Sequence, residues 1–143
     1  MPVQWTPDLS TKVEAIDDQH RELFRQLDLL LKAWHAGKGR DEVEKILQLL
    51  DDYVSYHFRT EERFMETYRY SSTAAHKAQH AVFTASFGRL KDRYFRSGAD
   101  ASLIEETNEL VVDWFVKHLR YSDKALGLFL KMKVQTGVGH ALL

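Results

Sequence analysis

Apolar residues recur along this chain at intervals of three and four, the period of an α-helix with one buried face. Four such stretches follow one another. The first carries Ile16, Leu23, Phe24, Leu27, Leu30, Leu31 and Trp34 and stops at Gly37-Lys38-Gly39. The second carries Val43, Ile46, Leu47, Leu50, Val54, Phe58, Met65 and Tyr68. A third opens near the cap signal Ser71-Ser72-Thr73, carries Phe83, Phe87, Leu90 and Tyr94, and stops at Ser97-Gly98. The fourth carries Leu103, Leu110, Val111, Trp114 and Leu119. No stretch alternates with period two for long enough to form a sheet. The pattern predicts an all-α fold in which short loops make neighbouring helices antiparallel, an up-down-up-down four-helix bundle. Residues before Asp17 are expected to form an extended arm anchored by Trp5. Residues after Asp123 predict a further short helix, Lys124 to about Lys133, and then a loose tail. On this reading 1–143 is one domain, with an arm at 1–16, a bundle at about 17–120 and a C-terminal extension at about 124–143.

The histidines break the amphipathic pattern. Imidazoles belong on the wet face of a helix unless something holds them inside, yet five of the seven lie on the apolar stripes. His20 precedes Leu23 and Phe24 by three and four residues. His57 continues the row Leu50, Val54, and Glu61 follows on the same face. His76 and His80 begin the row Phe83, Phe87, Leu90, and His118 completes the row Leu103, Thr107, Val111, Trp114. In an antiparallel pair, residues equally distant from the connecting loop lie at equal height. The midpoint of 20 and 57 falls in the Gly37–Arg40 loop, that of 61 and 80 at Tyr70-Ser71, and that of 76/80 and 118 at Gly98. Three separate turns thus bring the histidines and Glu61 to one level. A lone core-facing histidine is usually a packing residue, but a whole layer of them buries unpaired polar groups unless a cation joins them. His35 and His140 match no such row and are expected at the surface.

Composition then narrows the chemistry. The chain has 143 residues, no cysteine, and a formal charge of −1 from 20 basic and 21 acidic side chains. Thiolate metal sites and cysteine nucleophiles are excluded. The balanced charge argues against nucleic-acid binding through a general basic field, and no apolar run approaches the length of a membrane span. A cytoplasmic protein, monomeric and without membrane insertion, is the expectation. Imidazole and carboxylate donors suit iron, zinc, manganese or copper, and five histidines suit two ions better than one. Two ions held close need bridging carboxylates, for which Glu61 is the first candidate and Asp123 the second. Five residues of regular helix turn through about 500°. Asp123 therefore joins His118 only if the helix ends or bends between them.

At this point the sequence resembles the hemerythrin family, closest to its single-domain bacterial members. The matching elements are Ile16-Asp17-Asp18-Gln19-His20, His57-Phe58-Arg59-Thr60-Glu61-Glu62, His76-Lys77-Ala78-Gln79-His80 and Trp114-Phe115-Val116-Lys117-His118-Leu119-Arg120-Tyr121-Ser122-Asp123. They occur in order between about Trp5 and Lys124. The resemblance implies two iron ions bridged by Glu61, Asp123 and an oxo or hydroxo group. His76, His80 and His118 correspond to the ligands of a saturated iron, and His20 and His57 to those of an iron with one open position. It further implies reversible dioxygen binding for storage, delivery to an oxygen-consuming enzyme, or buffering, and not enzymatic turnover. Phe58, Phe115 and Leu119 are the candidates for a dry dioxygen pocket. Phe115 stands where a smaller aliphatic residue is expected and would narrow that pocket. The alternatives are oxygen or redox sensing through a partner, and a di-iron enzyme acting on nitric oxide or peroxide. A two-metal hydrolase would call for more carboxylate ligands. Ferritin-like di-iron enzymes likewise use four carboxylates, so the poorer anionic set here favours binding over oxygenation.

Overall fold

A computed structural model describes residues 4–135, and all of their regular structure is helical. After a short 3₁₀ turn at Pro7–Leu9 come α1 (Glu14–His35), α2 (Arg40–Thr67), α3 (Thr73–Ser97) and α4 (Ala101–Glu109). Then α4 continues without a break through two π-helical segments, Leu110–Val116 and His118–Asp123, into α5 (Lys124–Gln135). The composite α4–α5 rod is the fourth arm of the antiparallel bundle predicted from the periodicity. His140 and the expected tail lie outside the described residues.

Each turn is fixed by local chemistry. After α1, the Gly37 N–H donates to the Trp34 carbonyl and the Lys38 N–H to the Ala33 carbonyl, with Gly37 at φ +67°. This is a Schellman closure, and its left-handed residue favours glycine. The α2–α3 turn uses the same closure, Arg69 N–H to Glu66 and Tyr70 N–H to Met65, but places Arg69 at φ +56°. No glycine announces that turn. Asp100 caps α4 by accepting the Leu103 N–H at 2.7 Å.

The core has two apolar clusters with a polar layer between them. The larger, including Leu27, Leu30, Trp34, Val43, Leu47, Leu50, Tyr94, Leu103 and Val111, fills the half nearest the Gly37 and Gly98 turns. The smaller joins Val13, Ile16, Met65, Leu126 and Leu130 at the opposite end. The arm differs from the sequence expectation, since α1 starts at Glu14 and only the residues before it form the arm. The buried Asp17 carboxylate folds the arm back by accepting from Ser10 Oγ, Thr11 Oγ1 and the Thr11 N–H at 2.6–2.8 Å. Trp5 lies under the Arg21 guanidinium at 4.6 Å, the anchor expected of it. The arm lies against α5 so closely that a Cβ on Gly127 would stand 2.2 Å from the Thr11 carbonyl oxygen.

Candidate metal centre

Between the two apolar clusters, His20, His57, Glu61, His76, His80, His118 and Asp123 are all buried, and their donor atoms meet. Each helix supplies its share for the reason its sequence gave, a polar residue on the buried stripe at the common height. Asp123 gets there differently. The helix does not end after His118; its winding changes to a π-helix over His118–Asp123. A π-helix bonds i to i+5 and makes a turn in about 4.4 residues, so positions 118 and 123 share one face, about 50° apart. His118 Nε2 and Asp123 Oδ1 lie 3.1 Å apart.

The two carboxylates divide their oxygens between two sets of imidazoles. Glu61 Oε1 lies 3.3 Å from His76 Nε2 and 3.0 Å from His80 Nε2, while Oε2 lies 3.3 Å from His20 Nε2 and 3.2 Å from His57 Nε2. Asp123 Oδ1 faces His76 at 3.0 Å as well as His118, and Oδ2 faces His20 at 3.0 Å. One set is His76, His80 and His118 with both carboxylates; the other is His20 and His57 with the same two. Within each set the donor atoms lie within 4.8 Å of one another.

Most of these contacts are not hydrogen bonds. Nε2 of His20, His57 and His118, Oε2 of Glu61 and both oxygens of Asp123 are buried without an aligned partner, a costly state in an apolar core. Neighbouring ligands on an octahedral ion with bonds of about 2.1 Å stand about 3.0 Å apart. The observed spacings of 3.0–3.3 Å therefore fit atoms arranged around cations. The nitrogen and oxygen donors suit a divalent first-row metal.

Electrostatics in the metal-free cluster agree. Burial opposes charge on His20 and His76, but Asp123 and Glu61 outweigh it and lift both pKa values to about 9. Burial dominates at His57 and lowers its pKa. Glu61 and Asp123 are held well below the usual carboxylate range: burial pushes them up, but the surrounding imidazoles prevail. Protonated His20 and His76, one in each set, thus place positive charge beside the two carboxylates.

The outward nitrogens are held by residues that the sequence motifs contained but did not single out. His57 Nδ1 donates to Gln19 Oε1 at 2.8 Å, His118 Nδ1 to Gln79 Oε1 at 2.7 Å, and His80 Nδ1 to Glu62 Oε2 at 2.9 Å. Ser122 Oγ also donates to Gln79 Oε1, at 2.8 Å. Such bonds fix the tautomer, leaving the Nε2 lone pairs aimed inward. The only sequence signal for them was a polar residue beside a ligand, as Gln19 is beside His20.

The three pocket candidates are buried. Phe115 places its ring 6.2 Å from that of His20, edge to face, and Phe58 stacks on His80 at 3.9 Å. His35 is exposed, as expected.

Comparison with known proteins points the same way. The family model for the hemerythrin HHE cation binding domain matches residues 11–128. A bacteriohemerythrin of Methylococcus capsulatus is 34% identical over 124 residues, which are 86% of this chain and 92% of the relative. Myohemerythrin-1 of Phascolopsis gouldii is 26% identical over 122 residues, 85% of this chain and 89% of the relative. A crystal structure of wild-type hemerythrin superposes with a TM-score of 0.76 at 34% identity, covering 87% of this chain and 94% of that one.

Proposed function

This chain belongs to the hemerythrin family, and from that premise we propose that it binds dioxygen reversibly at a pair of iron ions, for storage, delivery or buffering. The observation that carries the reading is the division of Glu61 and Asp123 between two sets of imidazoles of unequal size. His76, His80 and His118, with Glu61 and Asp123, would hold one ion, and His20 and His57, with the same two carboxylates, would hold the other. An iron pair held there would supply two electrons for reversible dioxygen binding.

The chain's own residues do the rest. Phe115, against His20, Phe58 and Leu119 keep water from the centre, which slows loss of the reduced state. We read the protein as a cytoplasmic, monomeric binding protein and not an enzyme, serving an oxygen-consuming enzyme. Among the described residues no helix is long and apolar enough to cross a membrane.

The test is an anaerobic optical titration of the reduced, iron-loaded protein. Visible absorption that rises with dioxygen, at about two irons per chain, and disappears under argon supports the carrier. Consumption of dioxygen on every reduction cycle, with decay to a stable oxidised spectrum, overturns it in favour of an oxidase or scavenger.

A further inference from the structure

The two sets of imidazoles are supported unequally. In the three-histidine set, His80 is clamped on both sides: Phe58 stacks on its ring at 3.9 Å and 4°, and its Nδ1 donates to Glu62. His118 is clamped likewise, with Trp114 stacked at 4.6 Å and 11° and Gln79 accepting from Nδ1. In the two-histidine set, His57 has the neutral amide of Gln19, and Nδ1 of His20 is buried without a partner. The rings of His20 and His57 meet only edge to face, at 4.5 Å.

Of the side chains bonded to outward imidazole nitrogens, Glu62 alone carries a charge. It follows Glu61 by one residue, about 100° around α2, so Glu61 points into the core while Glu62 reaches the flank facing α3. Its side chain is 25% exposed, against 3% for His80. Lys77 lies within electrostatic reach, but its ammonium bonds Glu66 at 3.1 Å and leaves the Glu62 carboxylate to His80. An Nδ1–H donated to a carboxylate leaves more electron density on Nε2 than one donated to an amide, and makes a stronger metal ligand.

We propose that Glu62 is a positioning residue acting through His80, which makes the His76/His80/His118 position the tighter of the two, filled first and emptied last. The inference rests on the two-metal reading above. Glu62→Gln is its probe, because glutamine keeps the shape and an acceptor oxygen while removing the charge.

The experiment loads the full chain with zinc, counts the bound metal, and follows its release to a colorimetric chelator. Wild type is expected to release one ion quickly and one slowly. In Glu62→Gln the slow phase accelerates on the order of tenfold, the fast phase is unchanged, and the melting temperature of the metal-free protein does not move. At half loading, imidazole NMR signals of His76, His80 and His118 shift before those of His20 and His57. A single release phase in wild type, equal acceleration of both phases, acceleration of the fast phase alone, or no change in Glu62→Gln overturns the proposal. Failure of wild type to hold two ions overturns the two-metal reading itself, and this proposal with it.

Discussion

The same four helices carry two unlike stretches of core. Toward the Gly37 and Gly98 turns they bury Leu27, Leu30, Leu50, Leu103 and Val111 almost completely, and the buried hydroxyl of Thr107 satisfies itself on the Leu103 carbonyl at 2.8 Å. About one turn beyond Phe24 and Val54 the stripe changes to five imidazoles and two carboxylates, most of whose inward atoms lack an aligned hydrogen bond. The apolar half is held by burial, which needs neither a bound proton nor a cation. The polar layer is held by charge balance, by protons on His20 and His76 when metal-free or by cations when loaded. On the two-metal reading, one fold contains a scaffold that needs no metal and a layer that metal would govern.

The sharpest way to break that contrast is at Glu61, both of whose oxygens are used. Glu61→Ala should lower metal content from about two ions per chain to less than one, read by elemental analysis, while far-ultraviolet circular dichroism remains helical. Full loading of both positions in this variant would remove Glu61 from its bridging role. The converse variant is Leu30→Ala in the apolar half. It should cost about 2–5 kcal/mol of unfolding free energy, read by denaturant titration, and leave the metal stoichiometry intact.

Proton linkage separates the two halves next. The folded pKa values of His20 and His76, about 9, exceed the unfolded value of 6.5. Their contribution to metal-free stability is therefore complete below pH 6.5 and lost as the pH rises through about 9. Melting temperatures of the metal-free protein should fall across that window, and those of the loaded protein should not follow. Metal uptake at pH 7 should release about two protons per chain, measured by calorimetry in buffers of different ionisation enthalpy. Release of none would mean that the metal does not displace these protons.

The smallest effect is expected at Gly127, where α5 meets the arm. Gly127→Ala puts a methyl group against the Thr11 carbonyl and should cost about 1–3 kcal/mol in thermal unfolding. The Arg120 guanidinium pairs with Asp8 at 3.1 Å and the Lys124 ammonium donates to the Asp8 carbonyl at 2.7 Å. Both contacts tie the arm to the rod that carries Asp123, so metal should also leave this variant somewhat faster than wild type.

Much of this was written in one dimension. The three- and four-residue spacing identified the helices, and His20, His57, Glu61, His76, His80 and His118 declared themselves as polar residues on an apolar stripe. Their common height followed from the constant rise of a helix. Asp123 did not: at five residues from His118 it lies on the wrong side of an α-helix, and spacing alone did not choose it over other acids nearby. The α2–α3 turn was placed by the Ser71-Ser72-Thr73 cap signal and by the midpoint of the ligands, since Arg69 occupies the left-handed position where a glycine would have marked it. Gln19, Glu62, Gln79 and Ser122 stood in plain view within the motifs, yet nothing in linear spacing says which nitrogen each would meet. Gln79 neighbours His80 in sequence but bonds His118 across the bundle.

What the sequence determined by itself is what depends on period and side-chain chemistry: helix number, the direction of each buried face, the level at which the imidazoles gather, and a donor set for borderline metals without sulfur. What only the tertiary structure decided is what depends on packing between elements. The π-helical winding brings Asp123 round to His118. The carboxylate oxygens divide between unequal sets, and only one outward imidazole receives a charged partner. A change of winding trades one pattern of backbone hydrogen bonds for another, a difference small enough for contacts between helices to settle it, and those contacts exist only once the four helices have met.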